Sequence, residues 1–79
     1  MKILSYLLIN TEAGKALMVL KELKKLKEVE SAHVVTGLHD IIALVNADST
    51  KHLADEIVNK IQKIDGIQRT VTCIVVNGD

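Results

Sequence analysis

The chain has 79 residues, 48% of them hydrophobic, with ten basic and ten acidic side chains and no net charge. That length holds one core burying about 60–65% of the unfolded surface, so the domain is expected to gain stability by self-association. One cysteine among three scattered histidines argues against an internal disulfide or a structural zinc site, and zero charge with Tyr6 as sole aromatic argues against nucleic-acid binding.

Residues 2–10, KILSYLLIN, predict a short, mostly buried strand. The opening MKILSYLLI is too brief for a signal peptide or a membrane span, and a reduced cytoplasmic setting follows. Asn10-Thr11 is the expected N-cap of a first helix, with Glu12 near the positive end of its dipole. Ala16, Val19, Leu20, Leu23 and Leu26 form that helix's apolar stripe, and Lys24, Lys25 and Lys27 suit its exposed carbonyl end.

Val29 to Thr36 and Asp40 to Ala47 predict a hairpin around the turn T-G-L-H-D. A second helix starts at Asp48-Ser49-Thr50, buries Leu53, Ile57, Ile61 and Ile64, and stops at Asp65-Gly66. Ile67 to Val76 is the last strand. Residues 1–79 thus read as a single α+β domain of order β-α-β-β-α-β. Right-handed crossovers make it a ferredoxin-like sandwich, an antiparallel sheet with two helices on one face. The other sheet face should then be polar in a monomer. Here Leu4, Tyr6 and Leu8 oppose Ile3, Leu7 and Ile9, and Ile42 and Leu44 oppose Ile41, Ala43 and Val45. Two apolar faces predict a dimer formed through the sheet.

Chemistry-bearing residues are sparse. His33, His39 and His52 share no ligand spacing, so no metal and no cofactor is expected. Ser5, Ser31 and Ser49 lack a nucleophile elbow, and Cys73 sits in an apolar strand as an inert small hydrophobe. No catalytic residue emerges, and the chain is not expected to be an enzyme. Two features remain. The T-G-L-H-D turn offers backbone amides beside Gly37 and a carboxylate at Asp40, with His39 between them. Thr70 and Thr72 share one face of the last strand, read as the open face, while Val71, Cys73 and Val75 would point to the helices. Packing on a strand surface is the competing reading of the threonines. The chemical reading is a small zwitterion, its ammonium on Asp40 and its carboxylate on hydroxyls and amides.

V-V-T-G-x-x-D-I-I-A-x-V, a helix ending I-x-G-I, and Q-R-T-V-T-x-I-V together resemble the effector-binding, or RAM, domain of Lrp/AsnC transcriptional regulators, over roughly Ile3 to Val76. The resemblance implies an amino-acid effector bound between dimers, and a homodimer that builds an octameric or decameric ring. It implies ligand contacts from Gly37 and Asp40 of the turn, with His39 tuning side-chain preference, and from Thr70 and Thr72 of a neighbouring dimer. Met1 leads directly into the first strand, so a stand-alone domain without the helix-turn-helix is expected. Such a domain would sense amino acids, or join full-length regulators, with no direct DNA contact and no membrane. Two other readings compete. One is a cofactor-free enzyme of the dimeric α/β-barrel kind, for which His33 is the available acid–base group. The other is an ACT-like amino-acid-binding module.

Overall fold

The computed structural model describes residues 2–78. The elements are β1 (Ile3–Thr11), α1 (Ala16–Lys24), β2 (Val29–Val34), β3 (Ile41–Ala47), α2 (residues 50–62) and β4 (Ile67–Ile74). All strand pairs are antiparallel, in the order β2-β3-β1-β4. This is the ferredoxin-like sandwich that the periodicities predict. Among the described residues no helix is long and apolar enough to cross a membrane.

The core lies between the sheet and the helices. Leu7 and Ile9 of β1 and Ile41, Ala43 and Val45 of β3 meet Val19 and Leu23 of α1 and Leu53, Ile57 and Ile61 of α2, all essentially buried. Among the described residues Ser5 is the one polar residue buried with them, and its hydroxyl donates to the Cys73 carbonyl at 3.2 Å. That bond removes most of the cost of hiding the hydroxyl.

Three local expectations need correction. Asn10-Thr11 does not cap α1: both residues belong to β1, and Lys15 precedes the helix without a side-chain cap. The second helix begins where expected, and Ser49 caps it, its Oγ accepting the His52 N–H at 3.0 Å. Its middle, Leu53–Val58, is wound as a π-helix between two α-helical ends. The wider turn keeps Leu53, Ile57 and Ile61, four residues apart, on one buried face.

The third correction concerns β4. Its register with β1 pairs Thr72 with Leu7 and Thr70 with Ile9, both on the helix side, and Val71 with Leu8 and Cys73 with Tyr6 on the open side. Directly paired residues share a face, so Thr70 and Thr72 face the helices and Val71 and Cys73 do not. The inversion is tolerated because β4 is an edge strand, where Thr70 is half-buried and Thr72 exposed. Its consequence is a wider apolar patch: Leu4, Tyr6, Leu8, Ile42, Leu44, Val71 and Cys73 share the open face. Leu4 and Tyr6 there are 40% and 45% exposed.

Gly66 joins α2 to β4 with φ +99°, and a Cβ there would lie 3.1 Å from both Lys15 Cβ and Val19 Cγ2. Gly66→Ala is expected to cost about 1–3 kcal/mol. For a domain of this size, that lowers the thermal midpoint by at least about 4 °C. An unchanged melting curve would show that the contact between this joint and Lys15 and Val19 yields freely.

Candidate functional site

The hairpin turn, the C-terminal end of β1 and the start of β4 converge at one end of the sheet. Gly37 turns the chain at φ +119°, with open space where a Cβ would stand. Backbone conformation, not crowding, sets the need for glycine there. Asp40 is tied in on three sides. Its N–H donates to the Ile9 carbonyl at 2.9 Å, and its carbonyl accepts the Val35 N–H at 2.8 Å. Its Oδ2 accepts the Thr11 N–H at 2.8 Å and lies 3.4 Å from the Thr11 hydroxyl. One carboxylate oxygen is therefore committed to closing the turn onto β1.

Beside this clamp is a shallow cleft of about 500 Å³ lined by Asn10, Leu38, His39, Gln68 and Arg69. Asn10 and Arg69 are cross-strand partners on the open side of the sheet. Asn10 Nδ2 donates to the Leu38 carbonyl at 2.8 Å, and Asn10 Oδ1 lies 3.1 Å from His39 Nδ1. Arg69 is exposed and forms no ion pair among the described residues. A guanidinium without a carboxylate beside it suits an anionic group of a ligand.

Of the residues singled out from sequence, the structure brings Gly37, His39 and Asp40 together in the turn. His39 alone of the three lines the cleft. Thr70 and Thr72 do not join it within one subunit: the Thr70 hydroxyl lies 3.0 Å from its donor, Gln62 Nε2, on the helix side. Asn10, Gln68 and Arg69 were missed. Gln68 and Arg69 stood in the Q-R-T-V-T motif, whereas nothing local marks Asn10.

A larger cleft, about 820 Å³, opens at the opposite end of the sheet. Its charges are largely spent on one another. Lys2 Nζ meets Asp48 Oδ1 at 2.7 Å, Lys60 meets Glu28 at 3.2 Å, and His52 Nε2 lies 3.3 Å from Glu56. The hydrogen bond from Lys2, with its charge, holds the Asp48 carboxyl below the usual carboxylate range. Burial alone would raise the Glu28 carboxyl, but its own backbone N–H and Lys60 outweigh that and lower it. Both carboxylates thus add stability above the ordinary carboxylate range and lose it as pH falls through their depressed values. The Lys2–Asp48 pair is exposed and screened, so its share is small. Lys27 and Lys63 also line this larger cleft without an ion pair among the described residues, but only the smaller cleft adjoins the T-G-L-H-D turn.

The family model described as "Lrp/AsnC ligand binding domain" matches residues 5–78. The chain belongs to the Lrp/AsnC ligand-binding domain family. Over 94% of its length it is 39% identical to an uncharacterised HTH-type transcriptional regulator of Pyrococcus abyssi, of which it covers 47%. The chain spans about half the length of the curated relatives it matches. Among solved structures, E. coli AsnC superposes with a TM-score of 0.89 at 34% identity, covering 96% of this chain and 52% of AsnC. The structure of FFRP-DM1 gives 0.88 at 38% identity, covering 94% of this chain and 99% of that one. The T-G-x-x-D turn and the R-T-V-T strand of this Lrp/AsnC domain both fall inside the matched span.

Proposed function

We propose that this Lrp/AsnC ligand-binding domain senses a free amino acid and converts its binding into a change of assembly. The observation that carries the reading is the cleft beside the T-G-L-H-D turn, with its unpaired Arg69, inside a chain matched by the family over residues 5–78. The minimal unit is a homodimer joined through the open sheet face, and dimers close into a ring, an octamer or a decamer. Gly37, His39 and Asp40 supply one part of the amino-acid site, with Asp40 acting through the turn it clamps. A neighbouring dimer supplies the β4 edge that carries Thr70 and Thr72. Thr72 is the better placed of the pair, being exposed, whereas the Thr70 hydroxyl is engaged by Gln62.

The domain works in the cytoplasm with no cofactor beyond its effector, alone or in mixed rings with full-length regulators. It is a binding module, not an enzyme. A sheet-enclosed acid–base site would need His33, which sits on edge strand β2 opposite Ile42 and does not line the cleft beside the turn. Its two helices are separated by β2 and β3, so a helix-turn-helix does not occur among the described residues. The isolated chain is expected to give no sequence-selective gel shift at physiological salt.

The test is a thermal-shift and light-scattering screen against the twenty proteinogenic amino acids. At a hundredfold excess over Kd, a true effector adds about 2.7 kcal/mol, roughly 10 °C or more in melting temperature. The same amino acid should move the oligomer distribution. Twenty flat responses would refute the sensor reading.

A further inference from the structure

Two hydrogen bonds fix the chemistry of the imidazole in the cleft. The Leu38 carbonyl can only accept, so the Asn10 side-chain atom 2.8 Å from it must be the amide nitrogen. The other Asn10 atom is then the oxygen, which also only accepts. It faces His39 Nδ1 at 3.1 Å, so Nδ1 carries the hydrogen. In the neutral ring Nε2 is left as a bare acceptor, and it makes no hydrogen bond among the described residues. Asn10 thus serves as a tautomer lock, bonded both to the turn backbone and to the ring.

The same cleft holds a donor of opposite character. Arg69 lies across from Asn10 on the same side of the sheet, and both line the cleft with His39. One wall offers a lone pair and another a cationic fork. An α-amino acid presents the complement, an ammonium and a carboxylate on one carbon. The Asp40 carboxylate, the obvious acceptor from sequence, does not line the cleft and has Oδ2 bound to Thr11.

We propose that Nε2 of His39 accepts a hydrogen from the effector's ammonium group and that Arg69 holds its carboxylate. This assignment rests on the amino-acid reading above and names the atoms that read the zwitterion. Asp40 then acts on affinity through the turn alone. Ligands lacking the α-amino group lose the His39 contact and keep the Arg69 contact.

The imidazole nitrogen resonances of 15N-labelled protein in mildly alkaline buffer test the first step without any ligand. The expected pattern is hydrogen on Nδ1 and none on Nε2 of His39, changing to a tautomer mixture in Asn10→Leu. Hydrogen on Nε2 in the native protein overturns the proposal. The second step takes the tightest of the twenty amino acids and its des-amino carboxylic acid. His39→Phe, with its fold checked by amide dispersion, should weaken the amino acid about tenfold or more and leave the des-amino acid within about twofold. Arg69→Gln should weaken both. Asp40→Asn, which keeps an acceptor for Thr11, should change neither more than about threefold. The proposal falls if His39→Phe weakens both ligands equally, or if Asp40→Asn costs the amino acid as much as His39→Phe does. If none of the twenty binds, the sensor reading fails, and the tautomer result separates that failure from this one.

Discussion

Tyr6→Lys is expected to give a folded monomer, against an expected dimer for the native chain. Tyr6 sits at the middle of the open sheet face, paired with Leu44 of β3 on one side and Cys73 of β4 on the other. Its side chain is already 45% exposed, so a lysine there meets water in the monomer and leaves the core untouched. Pressed against a second apolar sheet, the same ammonium would be buried without a counter-charge. An uncompensated buried charge costs about 3–5 kcal/mol, more than a hundredfold in dissociation constant, and a symmetric dimer carries it twice. Multi-angle light scattering at micromolar concentration reads the result directly. A native chain that is monomeric there would remove the sheet-face interface, and a Tyr6→Lys dimer would move it elsewhere.

Asp40→Ala should be among the most destabilising single changes outside the core. The substitution leaves the Thr11 N–H without its carboxylate acceptor, held at 2.8 Å in the native turn. Hydrogen bonds to charged groups contribute about 1.5–3 kcal/mol. In a domain of this size that means a melting temperature lower by roughly 6–20 °C. Asp40→Asn retains an oxygen in the same place and should lose less than half as much. A loss for Asp40→Ala within about 0.5 kcal/mol of zero would place it with ordinary surface changes and deny the clamp. The pair of variants also separates stability from recognition, since Asp40→Asn tests the charge and Asp40→Ala tests the turn.

Helical periodicity revealed most of the architecture because it is a local signal that burial enforces. Val19 and Leu23 of the α1 stripe and Leu53, Ile57 and Ile61 of α2 are buried where the spacing placed them. The facing of β4 did not yield to the same logic. Its apolar residues Val71 and Cys73 invite assignment to the helix side, yet pairing with Leu8 and Tyr6 sends them to the open side. An edge strand takes its register from one neighbour, and that pairing outweighs its own hydrophobic pattern. Asn10-Thr11 misled for a related reason. Polar residues after a strand look like a cap, but the groups that engage them, Leu38, His39 and Asp40, lie 28 and 29 residues ahead. The turn was visible as T-G-L-H-D, whereas the cleft beside it is made by three segments that only folding brings together.

The inverted facing of β4 also turns Cys73 into a gauge. The thiol is free, exposed in the single subunit, and set beside Tyr6 on the apolar face. If two sheets close over that face, alkylation of Cys73 proceeds only through the fraction of chains that have come apart. The labelling rate would then fall with protein concentration and reach a plateau in the Tyr6→Lys variant. One native sulfur atom would report how long partners stay together, with no dye or tag attached.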